Sequence, residues 1–507
     1  MDASAPPHSD RRWVLACTLL GAILRLYHLG HQSLWVDEMI SLQLATYASG
    51  AEFWRGLLQD IHGPLTSLLL HGWIRLGQGD GWLRLLYALP AIATIPLAYL
   101  LGRRLFGRAA ARITCLVLAL SPLHVWYAQE LRNYSWLVLW ATAALALFVR
   151  VWDGEASRRT WVALALSLAL AILTNYSLGF LLIALTVAAL LRRPVQPRFL
   201  LAWGGTLVFV GLVFLPWFVD WFGRIGGERL FVNARSPLGL PLREASGFSV
   251  AGLPYALWTF AYGYSLGPPL LDLHLDRSAA TLLPYAWVLV PGVLAAAAAL
   301  VLGLLEAHAR GRLLLVLTVI LVPLVLTSYL AAREIKTFHP RYMLASLPVL
   351  FATLGAAWSR RGIIARASGI LAGALMLLSL GHYYFDPAYG KEDSRRAVQI
   401  VRSEERPGDT VVLIYAHRPF RHYYAQDGGG QSRLLQVHKR LLQTDEDLRA
   451  HVEEAAAPGG RVWLVLTRWW DVAPEEKIRA IFAESLTEVR RWEVHGVKIT
   501  LYEAVAT

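Results

Sequence analysis

WLRLLYALPAIATIPLAYLLG, residues 82–102, runs straight into RRLFGR at 103–108 and sets the class of this protein. The first stretch is as long as the roughly 20 apolar residues that carry a helix across a bilayer core. The second is the basic cluster that marks the cytoplasmic end of such a span. The pattern recurs, with further apolar runs near 13–30, 110–127, 134–151, 160–175, 177–191, 199–219, 282–305, 313–331, 342–358 and 367–385. Of the 507 residues, 56% are hydrophobic and only 17% charged, where a soluble domain carries about 25% charged residues. The chain reads as an α-helical polytopic membrane protein.

Charge fixes the expected topology. Residues 387–507 hold 18 basic and 18 acidic residues, so the net charge of +12 belongs to the remainder. It lies in short loops between spans, which points to membrane lipids and away from a nucleic-acid partner. Arg11/Arg12, the Arg103–Arg112 group, Arg150/Arg158/Arg159, Arg192/Arg193/Arg198, Arg310/Arg312 and Arg360/Arg361/Arg366 fall in alternate connections. That alternation places them all in the cytoplasm if residues 252–270 do not cross, and it predicts eleven spans with the tail outside. Arg11–Arg12 before an apolar run mimics a signal peptide. No small-residue cleavage site follows and the run continues to Leu29, so an uncleaved first span is expected. Cys17 and Cys115 both sit in apolar runs, which leaves no disulfide or thiolate–metal framework.

Two domains are expected, 1–386 in the membrane and 387–507 as a small soluble α/β unit. In the tail, strands are predicted at 410–415 and 461–466, helices near 391–405 and 444–455, and a closing hairpin at 487–494 and 497–504 turning at His495–Gly496. In PLTSLLLHGWIRL, residues 64–76, Leu65, Leu68, Leu69, Gly72, Trp73 and Leu76 share one helical face, and Pro64 suits a first turn. This segment is too short to cross and is expected to lie in the outer interface.

Four polar stretches need explaining. SLWVDEMISL, 33–42, puts Asp37 and Glu38 where the chain leaves its first apolar run; acids also suit the first turn of a helix. QDIHGP, 59–64, offers Asp60 and His62, or simply a polar turn before Pro64. WYAQELRNYSW, 126–136, offers Glu130 and Arg132, which would also serve as a snorkelling ion pair in a tight turn. REIKTFHPRY, 333–342, offers Arg333, Lys336, His339, Arg341 and Tyr342, or an ordinary charged loop. The topology places all four on the outer side. Acids, a histidine and cations gathered there suit transfer of a group from a lipid-linked phosphate. A carboxylate takes the acceptor proton and guanidinium groups neutralise the departing phosphate.

The motifs W-x-D-E, D-x-H-x-P, LGRRLFGR, LSPLHVWYAQELRNY and FHPRYMLASLP occur in this order over about residues 10–385. Together they resemble the bacterial family 39 type of glycosyltransferase, relatives of protein O-mannosyltransferases and of the lipid A aminoarabinose transferase in the C-type superfamily. The resemblance implies a polyprenyl-phosphate-sugar donor and an inverting single displacement at the outer face of a bacterial plasma membrane. It implies a protein, lipid or glycan acceptor. It makes Asp37 the general base and Glu38 its neighbour, shaping charge or helping to hold the acceptor. Asp60, His62, Glu130, Arg132, Arg341 and Tyr342 match substrate-binding motif positions, with Lys336 and His339 in the same late loop. The family commonly has His-Pro-Pro where this chain has His62–Gly63–Pro64. Asp37, Glu130 and His62 could share a divalent ion, but no ligand spacing demands one and no cofactor is called for.

The main rival class is a transporter or a flippase of lipid-linked sugar. Transporters usually place ionisable groups or broken helices near the bilayer midplane, whereas most spans here lack acidic residues entirely.

Overall fold

The computed structural model describes residues 8–47, 49–60, 62–194, 196–231, 252–276, 278–333, 338–415, 417–426, 428–437, 444–457, 459–468 and 475–504. Its first half runs α1 (His8–Leu26), α2 (Val36–Ala45), α3 (Gly50–Gln59), α4 (Pro64–Trp73), α5 (Asp80–Phe106), α6 (Arg108–Leu120), α7 (Pro122–Ala128), α8 (Tyr134–Trp152), α9 (Arg158–Thr174), α10 (Leu178–Leu191) and α11 (Pro197–Phe231). There follow α12 (Gly252–Tyr262), α13 (Leu270–Leu275), α14 (Ala286–Ala309), α15 (Leu313–Ala332), a 3-10 segment Pro340–Ser346, α16 (Leu347–Trp358) and α17 (Ile363–Phe385).

Each apolar run of the sequence is helical, but the runs are not equivalent. Among the described residues, six helices are long and apolar enough to cross a membrane: α5, α8, Pro197–Val219, Leu283–Ala309, α15 and α17. The pair α6–α7, bent by 52°, makes a seventh if counted as one span. The sequence reading expects eleven. The other four runs fall short for stated reasons: α9, α10 and α16 have 17, 14 and 12 residues, and α1 carries Asp10, Arg11, Arg12 and Arg25. Residues 252–262 form an 11-residue helix, too short to span.

The α6–α7 bend has a local cause. Pro122 has no N–H to offer the Leu118 carbonyl, and the helix breaks there. Arg25, fully buried on α1, supplies the missing donors, to Leu118 O at 2.8 Å and Ala119 O at 3.0 Å. Gln129, just past α7, returns the support by donating to the carbonyls of Arg25 (3.0 Å) and Tyr27 (2.7 Å) at the end of α1. The turn 129–133 is thereby aimed at the loop that leads into α2.

Helix α4 forms as the spacing predicts, with Pro64 in its first turn. It buries Thr66, Ser67 and Leu70 and leaves Leu68 exposed, as is Leu76 just beyond its end. The apolar face is therefore divided: Leu69 and Trp73 pack on the protein, and Leu68 faces outward. A short helix with one such outward apolar residue suits a place at the membrane interface.

The tail comprises α18 (Ser394–Glu404), β1 (Thr410–Ile414), α19 (His417–Tyr424), β2 (Arg433–Val437), α20 (Asp445–Ala456), β3 (Val462–Thr467), α21 (Glu475–Ala483), β4 (Leu486–Val494) and β5 (Val497–Ala504). The sheet order is β2-β1-β3-β5-β4, parallel from β2 to β3 and antiparallel beyond. β1 and β3 are buried throughout, which is why they read as unbroken apolar runs. The predicted hairpin turns at Gly496, whose φ of 69° suits glycine. β2, α19 and α21 escape the sequence reading. The tail packs directly on the loop before α2. Leu34 N–H donates to Tyr423 Oη at 2.7 Å, Ser33 donates to Asp393 at 2.9 Å, and Arg395 pairs with Asp80.

Candidate active site

The loop 27–35 and the first turn of α2 carry the acidic pair, and the two carboxylates point different ways. Glu38 is fully buried and accepts from Arg84 Nε and Nη2, both at 2.8 Å, and from Leu131 N–H at 2.8 Å. Lys391 Nζ stands 3.3 Å away. Burial opposes its ionisation, but Arg84 and Lys391 outweigh that and bring the carboxyl down to about 2. Arg84 also donates to the carbonyls of Gln32 (2.8 Å) and Ser33 (3.0 Å). This buried knot fixes the loop, α5 and the 129–133 turn to one another.

Asp37 turns outward. Its carboxylate lies 3.6 Å from Arg341 Nη1, and both side chains are about one-quarter exposed. From the opposite side Arg132 Nη1 reaches the Asp37 carbonyl and Ser41 Oγ, each at 3.2 Å. Arg132 Nη2 is 2.8 Å from His62 Nε2, and His62 Nδ1 is 3.0 Å from Asp60 Oδ1. A guanidinium only donates, so Nε2 accepts and Nδ1–H donates to Asp60. Burial and Arg132 hold the His62 pKa below its ordinary value, which keeps the ring neutral. Asp60 and His62 thus orient Arg132.

The departure at Gly63 is explained by its neighbour. Its φ of −63° is one proline adopts, but an added Cβ would lie 2.0 Å from the Leu173 carbonyl oxygen. The end of α9 comes too close for any side chain. Asn133 donates to Thr174 O at 2.9 Å and accepts from Asn175 at 3.0 Å, so the same helix end also anchors the Arg132 turn.

Glu130 lies behind this cluster, 2% exposed, and its Oε2 has no hydrogen-bond partner. Burial raises its carboxyl to about 7, against the opposing pull of Lys391. His339 begins the 3-10 segment and accepts from Arg341 N–H at 3.2 Å; the Arg341 guanidinium lies 5.6 Å from the Tyr342 ring centre. Lys336 falls outside the described residues. The structure therefore brings together Asp37, Asp60, His62, Arg132 and Arg341, with Glu130 and His339 close behind, and gives Glu38 to the buried knot. The sequence reading passes over Arg84 and Lys391. A lone arginine inside an apolar run was a usable signal for the first; nothing local marked the second.

A small polar pocket opens beside Arg132, lined by Ser41, Asp60, His62, Tyr87 and Asn133. A narrow apolar groove lies between α12, α15 and the start of α16, walled by Leu257, Phe260, Leu324, Met343 and Leu350. Among the described residues no three His, Cys, Asp or Glu side chains gather as metal ligands, so Asp37, Glu130 and His62 do not form such a set.

The model of the dolichyl-phosphate-mannose-protein mannosyltransferase family matches residues 61–219. No curated protein matches in sequence. Among solved structures, ArnT from Cupriavidus metallidurans in the apo state is similar at a TM-score of 0.58 and 14% identity, covering 97% of this chain and 98% of that one. The same protein bound to undecaprenyl phosphate gives a TM-score of 0.50 at 15% identity, with the same coverage. At these identities the likeness shows the fold. Residues 61–219 are thus similar to the protein mannosyltransferases, and the fold of the whole chain is similar to that of ArnT.

Proposed function

We propose that the protein moves a sugar from a polyprenyl-phosphate-linked donor to a hydroxyl of a lipid, glycan or protein acceptor at the outer face of a bacterial plasma membrane. The acceptor oxygen bonds to the anomeric carbon while the bond from that carbon to the phosphate oxygen breaks, which inverts the centre. The acceptor proton passes to the Asp37 carboxylate, and the phosphate leaves with the bonding electron pair. Residues 1–386 carry this chemistry, and residues 387–507 cover the site or help to bind the acceptor.

The observation that supports this reading most is the 3.6 Å ion pair of Asp37 with Arg341, backed by Arg132 at the Asp37 carbonyl. It sets a proton acceptor and two phosphate-matching cations side by side. A donor phosphate competes for the Arg341 guanidinium, so its arrival frees the Asp37 carboxylate to act as a base. Arg132, held by His62, stays in place as the second cation. The apolar groove beside Met343 suits the first isoprene units of the carrier.

The test uses purified protein in detergent with undecaprenyl-phosphate-linked sugars and cell-envelope extract as acceptor. Asp37→Asn keeps size and polarity but loses the base, so turnover drops by roughly 10²–10⁴ while undecaprenyl phosphate still binds. Wild-type turnover in Asp37→Asn would exclude Asp37 as the base.

A further inference from the structure

The tail contributes a charge to the heart of the site. Lys391 is the first basic residue after the last long helix, and its side chain is 3% exposed. Its Nζ lies 3.3 Å from Glu38 Oε2 and 3.4 Å from the Gln129 carbonyl, above the Trp126 ring. The backbone around it is strapped down: Lys391 N–H donates to Gln32 at 3.3 Å, and Arg395 reaches the His31 carbonyl at 3.2 Å. Burying an ammonium this completely is costly unless it has work to do among buried acids.

Two such acids face it. Glu38 is already neutralised by Arg84, whereas Glu130 has no direct ion-pair partner among the described residues. The charges acting on Glu130 are Lys391 from the tail, Asp37 and Glu38 from α2, and Arg132 from its own turn. Phenols of Tyr127, Tyr134, Tyr264 and Tyr383 face it from α7, α8, the turn after α12, and α17. Lys391 is thus the stronger of the two cations, with Arg132, that oppose the neighbouring acids at Glu130.

We propose that Lys391 is a positioning residue of the transfer site: it holds Glu38 and keeps Glu130 available as a carboxylate within the Asp37 cluster. The membrane part then has a complete site only when the root of the tail is docked. This deepens the transfer reading in assigning that site a role, but its geometry and its test need no sugar donor.

The experiment follows the protonation of Glu130 directly. Dicyclohexylcarbodiimide, which adds to protonated buried carboxyls, is applied to the full-length protein in detergent across pH, and the Glu130 peptide is quantified by mass spectrometry. Labelling in the wild type falls as pH rises through the neutral range. Lys391→Met removes the opposing charge, so its midpoint moves upward by about one pH unit or more. Lys391→Arg restores the charge and stays within about half a unit of wild type. Where Lys391→Met does not give a cooperative thermal transition, Lys391→Gln keeps a donor for Gln129 and carries the same expectation. An unchanged midpoint in a folded, charge-removed variant overturns the proposal. A shifted midpoint supports it even if no sugar transfer is found, in which case only the transfer reading fails.

Discussion

Glu38→Gln isolates the buried knot, because glutamine copies the size and neutrality of a protonated glutamate. The folded-state carboxyl sits near about 2 against an ordinary 4.5. At about 1.4 kcal/mol per pH unit, that difference is worth about 3 kcal/mol of stability. An independent route agrees, since removing one member of a buried ion pair costs about 3–5 kcal/mol. Because the folded-state pKa is depressed, the contribution is full above about pH 4.5 and fades as pH falls toward about 2. The assay is equilibrium unfolding of detergent-solubilised protein by sodium dodecyl sulfate, followed by tryptophan fluorescence, for both proteins from pH 7 down to about 2.5. The variant is less stable at pH 7 by about 3 kcal/mol, roughly two powers of ten in the folded-to-unfolded ratio. The gap then closes as the wild-type carboxyl protonates. Acids that do not face Glu38 are common to both proteins and cancel in the comparison, and Glu130, which does face it, is removed from both by a Glu130→Gln background. A gap below about 1 kcal/mol at pH 7, or one that does not narrow at low pH, would refute the assignment of Glu38 to the knot.

Arg341→Ala weakens undecaprenyl phosphate binding and slows transfer, while Arg341→Lys recovers only part of both, since an ammonium lacks the planar fork; equal affinity and rate in all three proteins would make Arg341 structural. His62→Ala leaves Arg132 without its guide and lowers turnover by about tenfold or more, with Asn at the same position recovering some of it; an unchanged rate would remove His62 from the site. Single cysteines at Ala156 and Ser485, in a background free of Cys17 and Cys115, should react with an impermeant reagent from opposite sides of the membrane. Reaction from the same side would sink the proposed outer tail.

The sequence alone determined the class of the protein and named most of the polar residues that the fold gathers around Asp37. Long apolar runs cannot be hidden, because a helix in lipid must be apolar over its whole length. Four short polar motifs stand out against that background, and charge at their flanks predicts that they share one side. Tail strands that are buried on both faces were legible for the same reason. Only the tertiary structure decided how the pieces are used. Asp37 and Glu38 are adjacent and chemically alike, but one faces Arg341 and the other lies in the Arg84–Lys391 knot. Their difference arises from what packs against α2, and residues 84, 131 and 391 are remote in sequence. Gly63 looked like a lapse from the family pattern and proves to be forced by the carbonyl of Leu173 on another helix. Arg25 could be read as an interruption of the first span, yet it supplies the donors that Pro122 removes from α6. Periodicity and composition act along the chain and survive in any reading of it. Ion pairing, burial and close backbone approach act across it, and these chose the role of each polar residue.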